Sequence, residues 1–97
     1  MSAPAKTSQW TYLTNHTHVL VCLVKHGDMK MREIAQLVGI TERAVQRIIL
    51  ELEHSGAVVR ERHGRSNRYQ VNLDVPLRHN LEGEHTLGEL LSMINHG

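Results

Sequence analysis

The segment from Met31 to Leu52 constrains this chain more than any other. Two apolar stripes with helical spacing meet there across a short break. Met31, Ile34, Ala35 and Val38 recur at i, i+3, i+4 and i+7, which predicts a short helix over about Lys30 to Leu37. Val45, Ile48, Ile49 and Leu52 repeat the pattern and predict a longer helix from Glu42 to about His54. Between them stands Gly39-Ile40-Thr41. Gly39 can take a positive φ at little cost, Ile40 can point inward, and Thr41 is a good N-cap. Glu42 then suits the positive end of the helix dipole. Helices joined this tightly must pack against each other.

The flanks extend the pattern. Leu13, Val19, Leu20, Leu23 and Val24 predict a helix from Tyr12 to His26, stopped by Gly27-Asp28. After Ser55-Gly56, the stretches Ala57 to Arg62 and Arg68 to Leu73 read as two strands, with Tyr69, Val71 and Leu73 on one side. His63-Gly64-Arg65-Ser66-Asn67 between them is rich in turn formers, so the pair reads as a hairpin with a basic tip. Residues 74–85 are irregular. Thr86 with Glu89 then forms a capping box before the stripe Leu87, Leu90, Leu91 and Ile94. The expected fold is mainly α with a small β-hairpin (α+β). It is a winged helix-turn-helix, with a three-helix core, a two-stranded wing and a short C-terminal helix. Residues 1–9 read as a flexible arm, 10–73 as the winged domain, and 74–97 as a C-terminal extension and possible dimerisation element.

Ninety-seven residues suffice for one small domain. No apolar run approaches the roughly 20 residues of a membrane span, and the first residues lack an apolar signal core. Cys22 is a single cysteine and cannot form an internal disulfide, so the cytoplasm is the expected compartment. The net charge is only +1, but it is unevenly spread. Arg60, Arg62, Arg65 and Arg68 against Glu61 leave +3 on residues 57–72, whereas residues 73–97 carry −3. A concentrated positive stretch implies an anionic partner. Aromatic residues are only Trp10, Tyr12 and Tyr69, too few for base-stacking single-strand platforms.

These features point to double-stranded DNA. The outward face of the longer helix presents Arg43, Gln46, Arg47 and Leu50. Arginine can pair bidentately with guanine, and glutamine with adenine. Thr41, Glu42, Arg43, Gln46 and Arg47 are therefore the candidate recognition-helix residues. Arg62, His63, Arg65, Ser66, Asn67 and Arg68 are the candidate wing residues, suited to phosphates or the minor groove.

On these residues the chain resembles a known family. Residues 15–73 look like the DNA-binding domain of small bacterial and archaeal winged-helix regulators of the MarR and ArsR kind. The resemblance runs from Met31-Arg32-Glu33-Ile34-Ala35 through Gly39-Ile40-Thr41-Glu42-Arg43 to Leu52, and on from Gly56 to Tyr69. Single-domain MarR-like proteins are similar further out, in Thr14-Asn15-His16-Thr17-His18-Val19-Leu20 and Pro76-Leu77-Arg78-His79. The resemblance implies a transcriptional regulator, with repression the simpler mode, acting as a homodimer. The long flanking helices of full MarR proteins and the Asp-x-Arg of their wing are missing here, so no effector is implied. The metal-sensing clusters of ArsR repressors are missing too.

Other chemistries fit less well. A winged helix can also serve as a protein–protein module without DNA binding, which the basic wing argues against. His18, Cys22 and His26 lie at i, i+4 and i+8, a spacing that can share a metal but more simply makes a surface stripe with one small buried thiol. No metal or cofactor is expected. His16 is expected on the apolar face of the first helix, as a hydrogen-bonded core histidine or a cap. There is no Gly-rich phosphate loop, Gly-x-Ser-x-Gly elbow or convincing carboxylate pair, so the chain is not expected to be an enzyme. The terminal helix could close over the first helix, or pair with the same helix of a second chain.

Overall fold

A computed structural model describes residues 10–96; the predicted arm at 1–9 lies outside the described residues. Along the chain run α1 (Asn15–Lys25), α2 (Met31–Val38), α3 (Glu42–His54), β1 (Val58–His63), β2 (Ser66–Val71) and α4 (Leu87–His96). This is the winged helix-turn-helix that the sequence predicts. No helix among the described residues is long and apolar enough to cross a membrane.

Local signals set the central unit. The α2 helix ends on Gly39 at φ 87°, whose N–H donates to the Ala35 carbonyl at 2.8 Å. Thr41 then caps α3, its hydroxyl oxygen accepting from the Ala44 N–H at 3.0 Å. At the far end of α3, Gly56 at φ 85° permits two closing bonds, Gly56 N–H to Glu53 and Ala57 N–H to Leu52. Val45, Ile48, Ile49 and Leu52 are all buried, as their spacing requires, together with Ile34 and Ala35 of α2.

The first helix departs from expectation at both ends. It begins at Asn15 rather than Tyr12, because Thr11 donates its hydroxyl to the Leu13 carbonyl and holds that stretch in a turn. Trp10 and Tyr12 meet there edge to face, with ring centroids 4.8 Å apart. The buried stripe is Val19, Leu20, Cys22 and Leu23, while Val24 faces solvent. At the other end, Gly27 has no positive φ. Its role is close approach: the Tyr69 N–H donates to the Gly27 carbonyl at 2.9 Å, and a Cβ on Gly27 would lie 2.7 Å from the Tyr69 carbonyl oxygen.

The strands have the predicted length but are shifted toward each other, and the turn is tighter than predicted. The antiparallel register runs from Val58 opposite Val71 to His63 opposite Ser66. Only Gly64 and Arg65 make the turn, and Gly64 at φ 61° allows that closure. Arg62, His63, Ser66 and Asn67 thus belong to the ladder rather than to a loop. Leu73 also differs: β2 ends at Val71, and Leu73 is half exposed in the following turn. Its carbonyl accepts from Gly88, and the Val75 carbonyl accepts from Leu87, both at 2.9 Å, which fixes the start of α4.

Thr86 and Glu89 form the predicted capping box, with bonds of 2.8 and 3.2 Å. The stripe of α4 turns inward: Leu87 and Leu91 are buried, Ile94 packs against the same core, and the helix lies against α1.

Candidate nucleic-acid interface

The outward face of α3 is as its period implies. Arg43, Gln46, Arg47 and Leu50 are exposed, as are Thr41 and Glu42 at the helix start. Thr41 also has a structural task, since its oxygen holds the first turn. The Thr41 hydroxyl hydrogen is still available to a phosphate.

The acidic residues of α3 are divided by their partners. Glu53 accepts two bonds from Arg60 of β1, one from Nε and one from Nη2, each at 3.0 Å. That pair ties the wing to α3 and keeps the Arg60 guanidinium charged. Glu51 has two partners. Its Oε1 lies 2.6 Å from His16 Nε2 on α1, and its Oε2 lies 3.6 Å from Arg47 Nη1, one helical turn back. The His16 hydrogen bond is the main cause that holds the Glu51 carboxyl below the usual glutamate range; nearby Arg47 acts in the same direction, and desolvation opposes both. Arg43, Arg62, Arg65 and Arg68 make no ion pair among the described residues. On the outward face of α3, Arg43 is therefore a cation without a carboxylate partner among the described residues, whereas Arg47 shares Glu51 with His16.

The candidate wing residues do not act as one cluster. Side chains alternate across a strand, and directly paired residues share a face. Arg60 and Tyr69 are paired and mark the α3 side of the hairpin through Glu53. Arg62 and Asn67, the next such pair toward the tip, lie on that same side. Ser66 and Arg68 lie on the opposite side, and Arg65 sits in the turn itself. His63 pairs with Ser66 in the ladder. Arg62 and Asn67 thus share the side of the hairpin on which Arg60 reaches α3, Arg65 sits at the tip, and Arg68 runs beside Gly27.

His16 is not a core residue. It lies in the first turn of α1 with its side chain 43% exposed, hydrogen-bonded to Glu51. Reading the sequence could find the Arg47–Glu51 spacing of i, i+4, but not the His16–Glu51 bond across 35 positions. His16 and Glu51 also form part of the wall of an open groove of about 970 Å³. Its floor includes Leu20 and Leu52, and its rim includes Arg78 and Glu82. Cys22 is buried, and burial pushes its thiol up. No three His, Cys, Asp or Glu residues among the described ones are grouped to hold a metal.

Comparison with known proteins agrees with this architecture. A stretch of 60 residues is 35% identical to the uncharacterized protein MJ1254 of Methanocaldococcus jannaschii, covering 61% of this chain. The match spans only 13% of that protein's length. The MarR family model matches residues 14–69, which include α1, the complete helix-turn-helix and the hairpin as far as Tyr69. The chain belongs to the MarR family.

Proposed function

We propose that this chain binds double-stranded DNA and regulates transcription, most simply as a repressor, with α3 in the major groove and the hairpin tip on the adjoining backbone. One observation carries the reading. Arg43, Gln46 and Arg47 stand exposed on one face of α3, while Glu53 is turned to Arg60 of the wing and Glu51 is shared between His16 and Arg47. Thr41 and Glu42 line the entry to the groove. Arg62, Arg65 and Asn67 extend the same surface to the flanking phosphates, with His63, Ser66 and Arg68 at its margin. Membership in a family of regulators supports the same role and gives no reason to assign catalysis. The compartment that fits is the cytoplasm.

The working form is a homodimer, since paired helices can read half-sites about 34 Å apart. The segment 74–97 is the proposed pairing element. The inner stripe of α4 is used within the chain, and Met93 is left exposed on the outer side. Light scattering at DNA-binding concentrations reads the mass directly. A monomer both with and without DNA rejects the dimer.

The deciding experiment for DNA binding is fluorescence anisotropy of a labelled mixed-sequence duplex at about 50 and 200 mM salt. Binding at micromolar or tighter levels, weakened tens-fold or more by salt, is expected for several phosphate contacts. Folded protein that binds at neither salt concentration would transfer the fold to a protein–protein role.

A further inference from the structure

We infer that Glu51, steadied by His16, is a positioning residue that orients Arg47 and so sharpens the base preference of α3. This rests on the duplex-DNA reading above. The geometry is a chain of three side chains crossing from α1 to the outward face of α3. His16 Nε2 is 2.6 Å from Glu51 Oε1, and Glu51 Oε2 is 3.6 Å from Arg47 Nη1. The two carboxylate oxygens therefore serve different partners. Glu51 is kept ionised by its neighbours, and an ionised carboxylate only accepts. His16 must then donate the proton on Nε2.

An isolated pair one turn apart on an exposed helix holds its members loosely. Glu51 is not isolated. Its bond to His16 on another helix removes rotamer freedom, so the oxygen that pairs with Arg47 ranges less widely than in an isolated pair. The Arg47 side chain remains 62% exposed. A guanidinium has five N–H donors, so one edge can rest on Glu51 while another meets a base. Bidentate contact with guanine depends on the plane of that group, and a supported plane is preorganised for it. Arg43 supplies an internal control, because it makes no ion pair among the described residues.

A purely electrostatic role for Glu51 predicts something different. Removing one negative charge would raise affinity for every duplex alike and leave preference untouched. Selection from a randomised duplex pool separates the two roles, using wild type, Arg47→Ala, Arg43→Ala, Glu51→Ala, His16→Ala and His16→Gln. Arg47→Ala is expected to erase preference at one base position, a loss of roughly 5- to 150-fold in discrimination. Glu51→Ala should blur that same position by about three- to tenfold and spare the position lost in Arg43→Ala. His16→Ala should act in the same direction more weakly. His16→Gln should restore the preference, since its amide can donate to Glu51. A Glu51→Ala profile identical to wild type, or one blurred only where Arg43 reads, overturns the inference and leaves DNA binding intact. A wild-type protein that binds the pool but enriches no duplex overturns this inference alone, and one that retains no duplex at all overturns the DNA reading with it.

Discussion

The two ends of the hairpin obey the same alternation and end in opposite surroundings. Near the base, the core-facing positions are Val58, Val71 and Tyr69, and Tyr69 is only 6% exposed. Toward the tip, the same side continues with Arg62 and Asn67. The change falls at the Arg60–Tyr69 pair, where one partner is in the core and the other reaches Glu53. The core runs out halfway along the strands. Beyond that point, the same side of the sheet carries polar residues, Arg62 and Asn67. Apolar burial fixes the base, and the tip is left to whatever α3 meets.

The strongest way to break this contrast is Tyr69→Ala. Loss of a buried aromatic should cost about 3–5 kcal/mol, read by urea denaturation. A cost below about 1 kcal/mol would mean that the base is not anchored by burial. Next in size is Gly27→Ala, whose new Cβ would lie 2.7 Å from the Tyr69 carbonyl oxygen. Backbone cannot yield as a flexible side chain does, so a loss of about 1–3 kcal/mol is expected. At the tip, Arg65→Ala should change stability by less than about 0.5 kcal/mol. Its effect should appear instead in duplex binding, weaker for all sequences and with a salt slope reduced by about 1. Confinement of that effect to one operator position would contradict a backbone role for the tip.

The smallest predicted effect concerns acid. The Glu51 carboxyl titrates below its unfolded value, so the contribution of its ionised form is complete above the ordinary glutamate range. It declines as pH falls through the lowered folded value. The difference in melting temperature between wild type and Glu51→Gln should hold steady from about pH 6 to 8 and close toward about pH 3. Arg65→Ala should show no such closure. A Glu51→Gln difference that widens in acid would reverse the assigned sign.

What could be read in the sequence was mostly local. Gly39, Thr41, Gly56 and the Thr86–Glu89 box act within a few residues, and each occupies the place its chemistry implies. The face carrying Arg43, Gln46 and Arg47 followed from helical period alone. The errors arose where distant segments meet. Leu13 fits the stripe of α1, but the Thr11 hydroxyl holds it outside the helix. Gly27 resembles a helix stop, and its actual constraint comes from Tyr69. Five turn-forming residues suggested a loop, yet Gly64 let the ladder close around two. The division of the wing residues between two sides depends on that register. The bond from His16 to Glu51 depends on how α1 lies against α3. Neither is encoded in any short window.

The Tyr69 amide has a consequence for exchange with solvent. Its hydrogen points at Gly27 rather than at β1, so local fraying of the hairpin does not expose it. Deuterium should enter there only when the hairpin parts from the loop between α1 and α2. Amides next to Gly64, a few residues away, need only a local opening. The wing therefore carries a slow exchange reporter and a fast one within a single strand pair. Duplex DNA gripping the tip should slow the fast reporter first.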